Sequence, residues 1–410
     1  MKNSNKTIWI INQYASHLVT RHEELSKSFA AHGYIVAVIT SSFHHGKREY
    51  MYDEPITYRE LCDGVTYVYI HSGPAYQKND AGRIFNMLDF CRLVDRYKGE
   101  ISNIIGKPGY VIASSAPPFV WEIGRRISKK YGAKFIAEFR DIWPLSLIEI
   151  QGVSPRHPLV KILSVIEKRA YRYSDLIVST MKDAWKHVVE VSDVTRDKVK
   201  WMPNGINIKT FEESLNSPEE LPVDLDDYLS SHWCCLYVGS IVKSECVDFM
   251  VNAIGKLDNN DIFFAVVGEG HEKERIQNLI NEKGYTNIRM FPFLDRRLIP
   301  KALSKAGCCV AACKDVGIGK YGLSMYKLND YLYSGKPTVF AYDYTSVVEE
   351  AGQVAVQYGS EEVFENAVKS LRYADEITIE KLAIVSKRVI AETYDFSMIG
   401  ENYLDAIISC

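Results

Sequence analysis

The 410-residue chain carries 49 Lys and Arg against 52 Asp and Glu, for a formal net charge of -3, and 47% of its residues are hydrophobic. That length holds two or three domains, each with its own core, and the composition is that of a soluble globular protein. The near-balance of charge excludes nucleic-acid binding driven by bulk electrostatics.

The chain begins "MKNSNKTIWIINQ", polar and then briefly apolar, too short a run for a signal peptide. No stretch approaches the roughly 18 apolar residues of a membrane span. Nine cysteines, an odd number, include the adjacent pairs Cys234-Cys235 and Cys308-Cys309 inside apolar runs. Such cysteines act as small hydrophobes, and reduced thiols in a cytoplasmic protein are expected. Cys309 and Cys313 have no second Cys/His pair to complete a zinc site.

Strands and helices alternate from the start. "TIWIIN" precedes a helix from about Thr20 to His32, which Gly33 ends, and "IVAVIT" follows. A helix near 80–105 leads to "YVIASS", a helix after Pro117-Pro118, and "KFIAEF". The helix near 157–173 shows Leu159, Ile162, Leu163, Ile166 and Ala170 as an apolar stripe, with Lys161, Lys168, Arg169 and Arg172 elsewhere on it. Packing of that stripe in a core is preferred over contact with a membrane. "DLIVST", a helix and "KVKWMPNG" complete the first half. Between residues 207 and 231 the pattern fails; two prolines and many acids mark a linker. Its Asp224-Leu225-Asp226 imitates a metal motif but follows no strand, so no dedicated metal site is assigned. Alternation resumes at "WCCLYVG" and runs through "IFFAVVG", "NIRMF", "CCVAAC", "PTVFA" and "VAVQY". Such alternation predicts parallel sheets with crossover helices. The expected architecture is α/β with two doubly wound, Rossmann-like domains and a cleft between them: 1–206, a linker at 207–231, 232–385, and a C-terminal helix at 386–410 packing toward the first domain.

Ligands of such sheets sit where strands enter helices. Gly239-Ser240 and Lys243 follow one strand, and Gly268-Glu269-Gly270 follows the next. Glycine lets a ligand approach the backbone, and a helix N-terminus offers amides to an anion. Glu269 also reads as a simple helix cap. In "YGLSMYKLNDYLYSGKP" a helix starting near Leu323, Ser324, Met325 and Tyr326 would present amides to phosphates. Lys327 would add positive charge, and Asp330, one turn deeper, would suit a ribose diol. Together these loops could hold a nucleoside diphosphate.

The motifs "RHEELSKSFAAHGYIVAVIT", "AEFRDIWP", "MPNGIN", "YVGS", "VVGEGHEKERI", "NIRMFPFL", "YGLSMYKLNDYLYSGKP" and "VVEEAG" are spread over nearly the whole chain. Their order and spacing resemble the retaining glycosyltransferases of the GT-B fold, of the branch that builds bacterial envelope polysaccharides such as O-antigen or capsule. The resemblance implies a metal-independent enzyme without a cofactor. It would move a sugar from a nucleoside diphosphate, with UDP favoured, to a glycan or lipid-linked acceptor at the inner face of the membrane. It places the donor in the second domain, with Gly239, Gly268 and Asp330 on family positions and the backbone at Phe293 reading the base. It places the acceptor in the first, where Arg140 and Asp141 fall on a His-Asp pair; these two and Lys327 are the expected catalytic residues. His17, Arg21 and Glu138 are expected at the acceptor. Three positions depart from the pattern: Gly322 stands where the first of two spaced acids is usual, Ser240 for an arginine, and Glu245 for a lysine. Diphosphate charge would then fall on Lys327 and Lys243. The departures keep two other readings open, a noncatalytic nucleotide-sugar-binding scaffold and a GT-B-like nucleotide-sugar epimerase.

Overall fold

The structure, a computed structural model, describes residues 6–15, 20–78, 80–257 and 261–410. The chain divides into two compact units, residues up to Asn204 together with Phe396–Cys410, and Gly205–Asp395. None of its described helices is long and apolar enough to cross a membrane.

In the first unit the strands are β1 (Thr7–Ile11), β2 (Ile35–Ser41), the short β3 (Phe43–His44) and β4 (Glu49–Tyr50), β5 (Ile56–Cys62), β6 (Val65–Ile70), β7 (Tyr110–Ser114), β8 (Lys134–Phe139), β9 (Leu176–Ser179) and β10 (Val199–Trp201). Among the described residues the main sheet has the order β10-β9-β8-β7-β1-β2-β6-β5, and β3 pairs with β4 apart from it. All neighbours in the main sheet run parallel except β5 and β6. β1 reads TIWII with every residue buried. A parallel strand covered by helices on both faces needs such an unbroken apolar run. Chain order reverses between β1 and β7, which makes their carboxyl ends the crevice of this sheet. Asn12, just past β1, bridges it by donating to the Ser114 carbonyl at 2.8 Å.

The helix Phe396–Ser409 closes this unit by lying against the helix Thr20–Ala31. Tyr403 meets Phe29 edge to face at 5.6 Å. Helix spacing is set by Gly400, where a Cβ would come within 2.1 Å of Ser28 Oγ. The chain rejoins the first unit at Phe396 rather than near residue 386; residues 386–395 stay with the second unit. In the helix Pro158–Tyr173 the buried face is Val160, Leu163, Glu167, Ala170 and Tyr171. Ile162, expected in the apolar stripe, is 54% exposed. Glu167 takes an inner position because His187 and the Tyr171 hydroxyl supply its hydrogen bonds, at 2.8 and 3.1 Å.

The second unit holds β11 (Cys234–Val238), β12 (Phe263–Val267), β13 (Ile288–Phe291), β14 (Cys308–Ala312), β15 (Thr338–Ala341) and β16 (Val354–Val356), all parallel, in the order β13-β12-β11-β14-β15-β16. Its reversal point lies between β11 and β14. Cys235 and Cys308 face each other across those strands as buried thiols, Sγ to Sγ 3.5 Å. The expected linker is not a linker: residues 207–231 include the helices Ile208–Leu215 and Val223–Ser231. Asn207 caps the first by accepting from the Thr210 amide at 2.9 Å. Pro222 precedes the second, where a missing N–H costs nothing. Asp224 and Asp226 pair with Arg289 and Lys305 on the surface.

Candidate active site

Beside the reversal point of the second sheet, where the loops after β11 and β12 leave their strands, backbone meets backbone. The Gly239 amide donates to the Val267 carbonyl at 3.0 Å, and the Ile241 amide to the Glu269 carbonyl at 2.8 Å. The β11–β12 ladder thus continues past the strand ends. Side chains would prevent it. A Cβ on Gly268 would lie 1.9 Å from the Gly239 oxygen, and one on Gly270 2.1 Å from the Ile241 oxygen. Both glycines are therefore required to hold the two loops together. Glu269 itself is exposed and pairs with Lys273 four residues on.

The helix Tyr326–Tyr333 starts here, later than the sequence pattern predicts. Leu323 and Ser324 precede it, Met325 is the extended N-cap residue, and no side chain caps it among the described residues. The physical reason is Met325, whose extended backbone (φ -98°, ψ 126°) no helix accommodates, so the helical run cannot include Leu323 or Ser324. Tyr331 ties the helix to the sheet: its hydroxyl accepts from the Val238 amide at 2.7 Å and donates to the Val238 carbonyl at 3.1 Å. This anchor swings Lys327 over the β11 loop, so close that a Cβ on Gly239 would lie 2.7 Å from its Nζ.

Lys327 is not an unpaired cation. Its Nζ donates to the Glu245 carboxylate and to the Tyr237 hydroxyl, the latter at 2.9 Å. Nζ also lies 4.5 Å from the Tyr237 ring centroid, a cation–π distance. Burial lowers the Lys327 pKa, and the neighbouring Glu245 charge opposes that shift. The positive charge expected at Lys327 is thus shared with a carboxylate; Ser240 and Lys243 are exposed on the same loop. Phe293, in the loop after β13, is 71% exposed.

One turn beyond Lys327, Asp330 is buried, and burial pushes its carboxyl up to about 6 against the opposing charge of Arg296. Arg296 Nη2 approaches it to 3.8 Å. Both line a cavity of about 120 Å³ whose other walls include Asn207, Thr210 and Phe211. The segment read as linker thus builds one wall beside Asp330. Glu245, Tyr237 and Arg296 were not assigned roles from sequence. For Glu245 a signal existed, since it stands on an expected lysine position.

In the first unit, Arg140 and Asp141 directly follow the carboxyl end of β8. Arg140 Nε donates to the Ser115 carbonyl at 3.3 Å. Asp141 accepts from Ser146 Oγ, and burial raises its pKa while that bond opposes the rise. Arg140 therefore reaches the residue that follows β7, beside the crevice, while Asp141 is held by Ser146 of the short helix Leu145–Glu149. Arg21 and Glu138, expected at the acceptor, are both fully buried and belong to the core instead. Their ion pair is 2.9 Å, and Arg21 Nη1 also donates to the Pro203 carbonyl at 2.6 Å. Ser114 Oγ donates to Glu138 at 2.7 Å, and His22 Nε2 lies 3.4 Å away. Burial alone would raise the Glu138 pKa; Arg21 and His22 hold it well below the usual carboxylate range. Burial also pushes His22 down to about 4 despite its hydrogen bond to Glu138. A carboxylate so fully compensated has no free valence for an acceptor. His17 lies outside the described residues.

Residues 230–367 match the family model of glycosyl transferases group 1. The chain is 21% identical over 306 residues to the colanic acid biosynthesis glycosyl transferase WcaI of Escherichia coli (strain K12), covering 73% of this chain and 74% of that one. HepE of Anabaena, solved in complex with UDP and glucose, shares its fold with a TM-score of 0.67 at 10% identity, covering 98% of this chain and 100% of the other. An E. coli structure bound with UDP-2-fluoro glucose gives a TM-score of 0.75 at 11% identity, covering 98% and 99%.

Proposed function

We propose that the chain, whose residues 230–367 match the glycosyl transferases group 1 model and whose fold is shared with HepE, is a glycosyltransferase that moves a sugar from a UDP-sugar, with retention, to a glycan or lipid-linked acceptor in the building of a cell-surface polysaccharide. One observation carries the donor site: a lysine ammonium held over Gly239 at the sheet's reversal point, one turn before a buried carboxylate. The diphosphate lies along the β11 loop and the start of the helix Tyr326–Tyr333, with Lys327 and Lys243 as its cations. Asp330 accepts from the ribose hydroxyls, because a carboxylate suits a diol and repels phosphate. Fold relatives solved with UDP or UDP-2-fluoro glucose support a uridine nucleotide as the donor.

In the first unit Arg140 and Asp141 face the acceptor at the carboxyl end of β8. The leaving diphosphate takes the proton of the acceptor hydroxyl on the face from which it departs, so the anomeric configuration is retained. Here the protein's work is to stabilise charge on the leaving group with groups already in place. Losing one such contact raises the barrier by about 2–4 kcal/mol. Lys327→Ala is therefore expected to lower turnover at least about tenfold with its fold intact. A folded variant at the wild-type rate removes Lys327 from the mechanism. A thermal-shift screen of uridine, guanosine and adenosine diphosphates tests the base, because a ligand of the native state raises the melting temperature. Product NMR tests retention through the anomeric proton coupling.

A peripheral membrane position fits the face formed by the packed helices Phe119–Tyr131 and Pro158–Tyr173. Arg126, Lys129, Lys130, Lys161, Lys168, Arg169 and Arg172 are exposed there, beside exposed Ile162, Val165 and Tyr173. Cations around apolar side chains favour an anionic bilayer. Co-sedimentation with phosphatidylglycerol vesicles that salt reverses is the expected result; no sedimentation at low salt refutes it.

A further inference from the structure

Three groups converge on the Lys327 ammonium, and they differ in how firmly each is fixed. The Tyr237 ring is buried, and its hydroxyl donates to the Ser240 carbonyl at 2.7 Å, so it stays an acceptor for Lys327. Gly239 is fixed by its backbone bond to β12. Glu245 ends the one-turn 3-10 helix Lys243–Glu245. Its carboxylate reaches Lys327 across 82 residues of sequence, and the two side chains are 14% and 17% exposed, with lysine given first.

We infer that Glu245 is an internal competitor of the donor's diphosphate. The inference rests on the donor site proposed above. The carboxylate neutralises the largely buried ammonium, a charge that would otherwise be costly there. A diphosphate in contact with the same Nζ is a second anion within a few ångströms of the first. In a partly dry site like charges at that distance repel strongly. Glu245 therefore leaves Lys327 when the nucleotide binds and returns as it departs. No covalent bond changes; one anion replaces another on one cation. The orientation of Lys327 does not depend on Glu245, because Tyr331 anchors its helix and Tyr237 takes its hydrogen bond. Part of the attraction for UDP is thus spent displacing a side chain, which weakens product binding and speeds its release.

Competition and orientation predict opposite signs. Calorimetric titration with UDP, GDP and ADP, taking the tightest binder, is carried out on the wild type, Glu245→Gln, Lys327→Ala and the double variant. Competition predicts that Glu245→Gln binds about tenfold tighter than wild type, a shift of ~1.4 kcal/mol. It predicts that the gain disappears on the Lys327→Ala background, because the competed cation is gone. Glu245→Asp, whose shorter carboxylate reaches less well, falls between wild type and Gln. It carries the test if Glu245→Gln does not fold. Equal or weaker binding by folded Glu245 variants, with Lys327→Ala weakened, overturns the inference and leaves the donor site standing. Wild type that binds none of the three nucleotides, or Lys327→Ala that binds as well as wild type, overturns the donor site and the inference with it.

Discussion

Gly268→Ala tests whether the donor loops are held by direct backbone contact. The added Cβ would lie 1.9 Å from the Gly239 oxygen, whereas ordinary van der Waals contact begins at 3.4 Å. The loops must therefore part by about 1.5 Å, which no hydrogen bond in that ladder survives. Three backbone bonds are at stake: Gly239 N to Val267 O at 3.0 Å, Ile241 N to Glu269 O at 2.8 Å, and Gly268 N to Phe291 O at 3.1 Å. At about 1 kcal/mol each, the loss is about 2–4 kcal/mol, the upper part coming from buried groups left unpaired. Urea unfolding of variant and wild type measures it as a lower midpoint at unchanged slope. Gly99→Ala is the control. It lies inside the helix Ala81–Ile104, and a Cβ there meets nothing within 4 Å. Helix propensity alone predicts a gain of up to about 1 kcal/mol. If Gly268→Ala unfolds at the wild-type midpoint, the loops do not depend on that contact.

The His22 pKa is pushed from 6.5 to about 4, so the native state binds fewer protons than the unfolded chain between those values. Stability is then complete above pH 6.5 and falls as pH drops toward 4, by about 3 kcal/mol for this residue; a His22→Gln variant that titrates as steeply as wild type refutes it. Asp330, raised to about 6, must be ionised to accept from a ribose diol. UDP-glucose affinity should therefore rise with pH through 6, roughly tenfold between pH 5 and 7, and Asp330→Asn should abolish that step. A step of equal size in the Asn variant assigns it elsewhere. Tyr331→Phe removes both hydrogen bonds to Val238 and should cost about 1–3 kcal/mol. Full wild-type stability in calorimetry would show that the helix is held by packing alone.

Strand positions were legible because parallel strands buried on both faces leave solid apolar runs, as in TIWII and CCLYV. Short helices were not. Ile208–Leu215 buries Phe211, and Val223–Ser231 buries Leu225 and Leu229, too few inward residues to show a period against many acids. The pattern also carried the donor helix back toward Leu323, because apolar spacing does not register that Met325 is extended. Partners distant in sequence were invisible for another reason. Arg21 and Glu138 are 117 residues apart, and alone they read as a cation at a helix start and an acid near a strand end; only the 2.9 Å contact shows that they cancel each other's burial. The same logic applies at position 245. There the resemblance expects a lysine and the chain holds a glutamate, and its partner across the contact is Lys327. Neither residue alone shows in sequence that it has a partner 82 residues away. The opposite charges compensate each other in a largely buried place, so a diphosphate that takes the Lys327 ammonium has to displace the acid first.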